Sequence, residues 1–313
     1  MITPPFLQIN DTVGLIAPSY HIKPEQWEPV IPLLQSWGLQ VKTGTTLQLR
    51  DRVFAGSDQQ RLNDLVTMMR DPQIKAVICA RGGYGSGRLL VGLERYSPAF
   101  IPKWLVGYSD ITALASYMVN RMHWQCIHGP MPVDLSGKRH VDGDPSWEYL
   151  RSLLFGQMPV YTLSAHALNR CGNTTAPLAG GNLSVIYSLN ATPYQWKSDG
   201  CILLIEDVGE NLYHLDRMMT NLRISGQLAG LKGLLTGAMN GMHDSGPSFG
   251  KTAYEIIASH VEDYDYPVAF GFPAGHDGAN FPLALGANTV LNVTEQSVVL
   301  CASGGDAYQY HKH

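Results

Sequence analysis

Residues 11–41 read DTVGLIAPSYHIKPEQWEPVIPLLQSWGLQV, and this stretch indicates the type of fold. An apolar run of strand length over residues 11–17 is followed by apolar residues at near-helical spacing over 25–37. Gly38 then ends the predicted helix, and a second strand pattern begins at residue 39. A strand, a helix and a strand in this order predict the βαβ unit of a parallel sheet.

The same alternation continues to about residue 130. The further predicted elements are, in order, a helix over 61–69, a strand over 76–79, a strand over 104–108 and a helix over 111–119. A glycine-rich segment, RGGYGSG, occupies residues 81–87 and is called the glycine loop below. We therefore expect an α/β fold whose residues 1–133 form a doubly wound, flavodoxin-like parallel-sheet domain.

The pattern loosens between residues 134 and 175, where turn-forming residues are frequent, and we expect a connecting segment there. Beyond it, strand patterns lie at 201–205, 231–235, 268–270, 283–285, 290–293 and 298–301. One clear helix pattern, Tyr213–Arg223, lies among the earlier of these strands. Residues 176–313 are therefore expected to form a β-rich α+β domain.

The composition disfavours several classes of protein. The 313 residues include 22 Lys and Arg against 26 Asp and Glu, and a net charge of −4 argues against a nucleic-acid binder that works by phosphate neutralisation. The five scattered cysteines argue against a disulfide framework and a zinc site, and they suit a reducing compartment. The sequence contains no signal-peptide pattern and no run of about 18 apolar residues for a membrane helix. The 32 glycines predict either many turns or backbone that approaches something closely.

Ser109 lies in Gly107-Tyr108-Ser109-Asp110, at a sharp turn between a predicted strand and a predicted helix. A hydroxyl at such a turn projects above the carboxyl edge of the sheet, with helix N–H groups behind it that stabilise an oxyanion. The alternative is a helix N-cap, a position that Ser and Asp favour. Ile111 replaces the last glycine of Gly-x-Ser-x-Gly, so this is not the usual α/β-hydrolase turn.

Two adjacent carboxylates, Glu206 and Asp207, end a buried apolar strand pattern. A carboxylate there is suited to orient a histidine and compensate its charge. The alternatives are an acidic loop that caps the helix beginning at Tyr213, or the edge of a metal site.

A histidine, His276, lies in a glycine-flanked loop soon after a predicted strand and is a candidate general base. His128 is its nearest rival among the other ten histidines, while His311 and His313 belong to the C-terminal tail. A structural or solvated histidine is the alternative interpretation.

The glycine loop has two interpretations. Gly-rich turns between strand and helix often bind phosphate, but Arg88 replaces the last glycine of Gly-x-Gly-x-x-Gly, and the P-loop pattern is absent from the sequence. The second interpretation is oxyanion stabilisation by the backbone at Gly82 and Gly83. A serine, a base and an orienting acid are what acyl transfer requires, which favours the second interpretation.

Several short motifs follow one another along the chain. They are APS at 17–19, FAGS at 54–57, RGGYG at 81–85, GYSD at 107–110, GPM at 129–131, GGNL at 180–183, LIED at 204–207 and GH at 275–276. With these motifs, in this order, the chain resembles the L,D-carboxypeptidases, also called muramoyltetrapeptide carboxypeptidases, of serine peptidase family S66.

The resemblance implies a Ser-Glu-His triad on an N-terminal α/β domain and a C-terminal β-rich domain. By motif, Ser109 is then the nucleophile, His276 the general base, and Glu206 the residue that orients the histidine, while the backbone N–H groups of Gly83 and Asp110 form an oxyanion hole. The family releases the terminal D-Ala from the tetrapeptide of recycled peptidoglycan. Its members are typically cytoplasmic homodimers that use no metal and no other cofactor.

Two alternatives to this function stay open. A related branch, the microcin C self-immunity peptidases, shares the triad but cleaves aminoacyl or peptidyl nucleotides; the compact length and the Gly-Tyr-Gly of the glycine loop favour the muropeptide branch. From a different class, a non-catalytic module would bind a phosphate ligand at the glycine loop, with Ser109 a plain N-cap. Ala191 replaces a glycine common in the family, a departure of small consequence.

A carboxypeptidase also has to bind the terminal carboxylate of its substrate. Arg81 is a candidate because a guanidinium offers that group a bidentate match. Gly82 and Tyr84, beside it in the glycine loop, are further candidate substrate contacts. The alternative for Arg81 is a structural salt bridge.

Overall fold

The computed structural model describes residues 1–136, 144–244, 246–303 and 307–308, which form two sheets. The strands are β1 (Thr12–Ile16), β2 (Gln40–Thr43), β3 (Ile74–Cys79), β4 (Trp104–Val106), β5 (Cys126–His128), β6 (Met158–Ser164), β7 (Gly172–Asn182), β8 (Ile202–Val208), β9 (Gly233–Asn240), β10 (Val268–Ala269), β11 (Leu283–Leu285), β12 (Asn288–Val293), β13 (Ser297–Ala302) and β14 (Ala307–Tyr308). The helices are α1 (Pro24–Trp27), α2 (Val30–Ser36), α3 (Asp58–Arg70), α4 (Leu90–Tyr96), α5 (Thr112–Asn120), α6 (Ser146–Leu154), α7 (Leu183–Leu189), α8 (Leu212–Ile224) and α9 (Ala253–Val261).

The first sheet has the order β11-β5-β4-β3-β1-β2, and its first five strands in the chain are parallel. This 2-1-3-4-5 order is that of flavodoxin-like folds, so the predicted class of the N-terminal domain is confirmed. The strand order reverses at β1 and β3, and ligands of such sheets bind at the carboxyl ends of the strands near this point. The loops that follow β1, β3 and β4 therefore meet at one edge.

The second sheet is mixed, with the order β10-β9-β8-β7-β12-β13-β6-β14. Strands β7 to β10 are parallel, and β8 is buried along most of its length because parallel strands are covered on both faces. Strands β7, β12, β13 and β6 are antiparallel. With three helices beside eight strands among its described residues, this domain is the β-rich α+β unit that the sequence predicts.

Some elements differ from the sequence-based expectations. The helix expected over 25–37 is divided into α1 and α2 at Pro29, which lacks the N–H that would continue the helical hydrogen bonds. The segment 134–175 contains α6, β6 and the start of β7, while its residues 137–143 lie outside the described residues. Helices α4, α7 and α9 were not expected. The domain limits at 133/134 and 175/176 stay a prediction.

Strand β11 belongs to the first sheet although it comes late in the chain. It pairs antiparallel with β5, with Leu283 opposite His128. Residues expected to serve the second domain thus complete the edge of the first.

The two domains also share a hydrophobic core. Val77 and Cys79 of β3 face a cluster that continues through α5 into α7, β8 and β9, whereas Ala76 and Ile78 face a smaller cluster with α2 and α6. Alternate residues of a strand point to opposite faces, which produces this division. The shared cluster sets the position of the second domain relative to α5.

A close contact between the domains lies at the start of α5. Thr112 Oγ1 accepts a hydrogen bond from the Asn182 N–H at 3.0 Å. Gly181 precedes Asn182 at a φ of +139°, and a Cβ there would lie 2.6 Å from Thr112 Oγ1. Only a glycine allows the end of β7 to approach α5 this closely.

We expect Gly181→Ala to destabilise the fold through both backbone strain and this clash. Gly200→Ala is the matched control, since Gly200 has a φ of +74° and a Cβ there would meet nothing within 4 Å. The control should cost about 1–2 kcal/mol of unfolding free energy, and Gly181→Ala roughly 1–3 kcal/mol more. Urea unfolding measures both, and equal losses would contradict the assigned contact.

Candidate active site

Ser109 occupies a strained turn between β4 and α5. Its φ is +62°, the left-handed region that residues other than glycine rarely adopt, and it begins a short 3-10 turn, Ser109–Ile111. Its side chain caps neither this turn nor α5, so the N-cap alternative is wrong. The turn instead directs the hydroxyl toward the second domain.

Three predicted side chains are joined in one chain of hydrogen bonds. Ser109 Oγ lies 3.0 Å from His276 Nε2, and His276 Nδ1 lies 2.7 Å from Glu206 Oε2. The serine comes from the first domain, whereas the other two come from β8 and the loop after β10 of the second. The structure therefore brings Ser109, His276 and Glu206 together, as the sequence predicts.

Glu206 is fully buried, and His276 is nearly so. Burial by itself raises the pKa of Glu206, but the charge and hydrogen bond of His276, with smaller contributions from His128 and Asn182, together hold that pKa below its usual value. An ionised Glu206 accepts a hydrogen bond from Nδ1–H, which leaves Nε2 to accept the serine proton.

Two glycines make room for the buried carboxylate. Gly275 has a φ of +101°, and a Cβ there would collide with the Glu206 carboxylate. A Cβ on Gly237 would collide with the Ala274 carbonyl and lie 3.0 Å from Glu206 Cβ. The glycine before the histidine is thus required by the approach of His276 to Glu206.

Asp207, the neighbour of Glu206, has a different role. Its carboxylate accepts hydrogen bonds from Asn182 Nδ2 at 3.0 Å, the Ser184 N–H at 2.8 Å and the Val208 N–H at 2.9 Å. Burial and the charge of Glu206 raise the pKa of Asp207 to about 7. The acidic pair therefore does not cap the helix beginning near Tyr213, since Asp207 binds the start of α7.

The rival histidine, His128, is buried on β5. Its ring contacts the Tyr108 ring with centroids 5.8 Å apart, and Tyr108 in turn contacts the His276 ring at 4.9 Å. Burial lowers the pKa of His128 to about 4, so it is neutral at pH 7. His276, not His128, is the histidine hydrogen-bonded to Ser109, and His311 and His313 lie outside the described residues.

The glycine loop lies in close contact with Ser109. A Cβ on Gly82 would lie 2.8 Å from Ser109 Cβ and 3.3 Å from the Asp110 nitrogen, and one on Gly83 would lie 2.5 Å from the Tyr20 ring. Bare backbone is thus needed beside Ser109, as the oxyanion interpretation requires. The roles of the Gly83 and Asp110 N–H groups stay a prediction.

The side chain of Asp110 connects the three loops at the edge of the first sheet. Its Oδ2 accepts hydrogen bonds from Ser19 Oγ at 2.5 Å and the Ser86 N–H at 2.7 Å, and Ser86 Oγ donates to the Asp110 carbonyl at 2.5 Å. Sequence reasoning assigned Asp110 only a backbone role and missed Ser19 and Ser86. Ser19 and Ser86 are far from Asp110 in the chain, so no local pattern links them to it. The APS motif at 17–19 is the one signal that pointed to Ser19.

Two clefts meet at Ser109. The first, of about 460 Å³, is lined by Arg81, Gly82 and His276, among others; we call it the His276 cleft. The second, of about 550 Å³, is lined by Tyr84, Arg88, Asn182, Asp207 and Glu210, among others; we call it the Arg88 cleft. Gly83 lines both.

The contacts of Arg81 are compatible with both interpretations from the sequence, binding of the substrate's terminal carboxylate and a structural role. Its Nη1 donates to the His21 carbonyl at 3.1 Å, and its guanidinium lies 5.6 Å from the centroid of the Tyr20 ring. These contacts hold the side chain in the wall of the His276 cleft. Among the described residues, no group of three His, Cys, Asp or Glu side chains is placed to hold a metal ion.

Comparison with known proteins identifies the family. Residues 13–129 match the model of the LD-carboxypeptidase N-terminal domain, and residues 175–291 match that of its C-terminal domain. The chain belongs to the LD-carboxypeptidase family, peptidase family S66. It is therefore an enzyme of the serine peptidase class.

Relatives of known name support this membership over nearly the whole chain. The chain is 32% identical to the probable murein peptide carboxypeptidase of Bacillus subtilis, covering 95% of this chain and 93% of that protein. It is 30% identical to the murein tetrapeptide carboxypeptidase of Pseudomonas aeruginosa, covering 90% and 94%. The crystal structure of the muramoyltetrapeptide carboxypeptidase of Oxalobacter formigenes shares the fold, with a TM-score of 0.82 at 24% identity over 93% and 98% of the two chains.

The microcin branch of the family is more distant in sequence. The microcin C7 self-immunity protein of Escherichia coli is 21% identical over 93% of both chains. A structure of such a protein with glutamyl sulfamoyl guanosine has a TM-score of 0.82 at 19% identity, covering 94% of this chain and 97% of that one, which shows a common fold.

The buried His128 predicts a pH-dependent stability. The folded protein holds this ring neutral down to about pH 4, whereas in the unfolded chain it takes up a proton near pH 6.5. Its contribution is therefore complete above pH 6.5 and is lost as the pH falls toward 4, by about 3 kcal/mol in all. We expect His128→Leu to reduce the difference in unfolding free energy between pH 7.5 and 4.5 by most of this amount.

Urea unfolding at the two pH values measures this effect. His243→Gln, at a histidine that is not buried, is the control and should keep the wild-type difference. A His128→Leu protein with that same difference would show that His128 is not held neutral.

Proposed function

We propose that this enzyme hydrolyses the L,D bond to the terminal D-Ala of peptidoglycan-derived tetrapeptides, as a step in murein recycling. The observation that carries the proposal is the hydrogen-bond chain from Ser109 through His276 to Glu206, placed where two clefts meet. The names of the Bacillus and Pseudomonas relatives support murein peptides as the substrate class.

The geometry suits acyl transfer. His276 Nε2 takes the proton of Ser109 as Oγ attacks the scissile carbonyl, and the N–H groups of Gly83 and Asp110 stabilise the oxyanion. The imidazolium, balanced by Glu206, then gives its proton to the leaving nitrogen of D-Ala, so the C–N bond breaks and an acyl ester on Ser109 remains. A water molecule, deprotonated by His276, hydrolyses this ester and restores the serine.

This mechanism determines which cleft holds which part of the substrate. His276 protonates the leaving amine, so D-Ala lies on the side of the His276 cleft. Arg81 in its wall then binds the D-Ala carboxylate, near Gly82. The acyl part of the peptide lies in the Arg88 cleft, where Tyr84 is an exposed aromatic contact.

Two further properties follow from the family resemblance. We infer that the protein is cytoplasmic and forms a homodimer. Cell fractionation tests the location, and light scattering on the purified protein tests the oligomeric state. Across the described part of the chain, every helix is too short or too polar to cross a membrane.

The phosphate-binding alternative is less compatible with the glycine loop. The Ser86 N–H, which a phosphate would use, already donates to the Asp110 carboxylate, and that negative charge would repel the ligand. The nucleotide-cleaving alternative uses the same triad, so the geometry fits both functions. An assay that compares the two kinds of substrate distinguishes them.

Product analysis tests the proposed reaction. We expect the wild-type enzyme to release D-Ala from a disaccharide tetrapeptide, and Ser109→Ala to reduce turnover by roughly four orders of magnitude or more because the nucleophile is lost. Ser36→Ala, at an exposed serine that ends α2 and lines neither cleft, is a control for hydroxyl loss and should retain the reaction. Folding of each variant is checked by thermal unfolding.

An aminoacyl nucleotide is assayed beside the muropeptide. Cleavage of the nucleotide alone would assign the enzyme to the microcin branch. Release of D-Ala that persists in Ser109→Ala would contradict the proposed nucleophile.

Arg81→Gln tests binding of the terminal carboxylate. We expect kcat/KM on a free tetrapeptide to fall at least tenfold, mainly through KM, because a charge-assisted contact is lost. A tetrapeptide ending in D-alaninamide lacks the carboxylate, so the variant and the wild type should process it at similar rates. Equal losses on both substrates would indicate a structural role for Arg81.

A further inference from the structure

Arg61 is a buried cation that the catalytic triad does not use. It belongs to α3, and none of its side chain is exposed to solvent. Burial of a guanidinium is strongly unfavourable unless its charge and its N–H groups find partners. One partner is the carboxylate of Asp58, which is partly exposed and also binds Arg88. An ion pair with Asp58 does not require burial, so the buried position of Arg61 has another cause.

The further partners of Arg61 are two backbone carbonyls at the active-site edge of the first sheet. Its Nη1 donates to the Pro18 carbonyl at 2.6 Å and to the Gly85 carbonyl at 2.9 Å. Pro18 belongs to the loop after β1, and Gly85 belongs to the glycine loop after β3. Because a guanidinium presents its N–H groups in fixed directions, these hydrogen bonds also fix the separation of the two loops.

The guanidinium of Arg61 is also held by close packing. It lies 4.8 Å from the centroid of the Phe54 ring, a cation–π contact. Gly85 has a φ of +124°, and a Cβ there would lie 2.9 Å from Arg61 Nη1 and 2.8 Å from the Phe54 ring. The glycine loop therefore approaches Arg61 so closely that position 85 has no room for a side chain.

A buried group of opposite charge, Asp110, binds the residues that follow the two carbonyls. Its carboxylate accepts the hydrogen bonds of Ser19 Oγ and the Ser86 N–H described above. The peptide group between Gly85 and Ser86 is thus held at both ends. Its N–H donates to Asp110, while its carbonyl accepts from Arg61. Hydrogen bonds that polarise the same peptide group strengthen each other.

This peptide group lies close in the chain to the candidate oxyanion donor, the Gly83 N–H. The loop after β1 supports that part of the glycine loop as well, since the Tyr20 N–H donates to the Gly82 carbonyl at 3.4 Å and Gly83 lies against the Tyr20 ring. The direction of the Gly83 N–H therefore depends on how the two loops are held relative to each other, and Arg61 is the side chain that joins them.

We propose that Arg61 is a positioning residue for the oxyanion hole. By joining the carbonyls of Pro18 and Gly85, it holds the glycine loop where the Gly83 N–H meets the developing oxyanion. This role rests on the proposed function, since it requires an acyl intermediate at Ser109. Donors that are in place before the reaction act mainly in the transition state. Loss of Arg61 is therefore expected to lower kcat and to leave KM nearly unchanged.

Two variants test this role on D-Ala release from the tetrapeptide. Arg61→Met removes the charge and both hydrogen bonds but keeps an unbranched apolar side chain, and we expect kcat to fall about a hundredfold because the donor is displaced. Arg61→Lys keeps the charge but lacks the planar group that spans two carbonyls, and kcat should fall about tenfold. In both variants KM should stay within about twofold of the wild-type value.

A transition-state analogue gives a second measurement. In a tripeptide whose terminal carboxyl group is replaced by a boronic acid, Ser109 Oγ adds to the boron and the serine proton passes to His276. The adduct is tetrahedral and negatively charged, as the oxyanion intermediate is. Its inhibition constant should rise about a hundredfold in Arg61→Met, in parallel with the loss of kcat/KM. Binding of the intact tetrapeptide, measured with and without Arg61→Met in a Ser109→Ala background, should change by no more than about twofold.

Arg170 provides the matched control. Like Arg61, it donates to two backbone carbonyls, that of Tyr266 through Nε and that of Val261 through Nη1, each at 2.8 Å. Its guanidinium also lies over an aromatic ring, 5.3 Å from the centroid of Tyr266. It belongs to the second domain and lines neither cleft. Arg170→Met should lower the Tm and keep the wild-type kcat.

The possible results separate this inference from the proposed function. A folded Arg61→Met or Arg61→Lys enzyme with the wild-type kcat, or a loss that falls on KM alone, would overturn the role of Arg61 while D-Ala release by the wild type stands. A loss of kcat no larger than that of Arg170→Met would do the same. If Arg61→Met does not fold, Arg61→Lys, which keeps the charge, supplies the comparison. A wild-type enzyme that releases no D-Ala would overturn the proposed function itself.

Discussion

The buried carboxylate of Glu206 is the constraint on which the site depends. An ionised group with no solvent exposure is strongly unfavourable unless a partner compensates its charge, and His276 is that partner, 2.7 Å away. To place the imidazole there, the loop after β10 has to pass very close to β8. Gly275 and Gly237 allow this approach because neither has a side chain in the way.

The first domain meets this pair with an equally constrained element. Ser109 adopts a left-handed backbone, and such strain persists only where the surroundings hold it in place. Asp110, through Ser19 and Ser86, ties the turn to the loops after β1 and β3. The shared core and the contact between Thr112 and Asn182 then fix the distance from Ser109 to His276. A shift of one domain relative to the other would separate Ser109 from His276. The geometry of the site therefore depends directly on how the two domains pack.

Much of the fold was predictable because its strands and helices have clear hydrophobic periods. The strands and helices that surround the glycine loop and Ser109 have such patterns, and so has β8 before Glu206. Among the elements missed, α6 and β6 lie in a segment rich in turn residues, and α7 has only seven residues. Helix α9 had a clear signal that was missed, since Thr252 and Glu255 form a capping box at its start. The pairing of β11 with β5 was not predictable, since it joins segments that are far apart in the chain.

The sequence by itself determined the residue types of the candidate site and their position at strand ends, because local patterning shows where strands stop and which side chains follow. The motifs already pointed to His276 rather than His128, and to Glu206 rather than Asp207. Only the tertiary structure gave the physical reason, since it places His276 between Ser109 and Glu206 and engages Asp207 with the start of α7. It also showed which glycines are required by close approach and which form ordinary turns. Each of these choices depends on distances between segments far apart in the chain, and such distances result from packing rather than from local sequence.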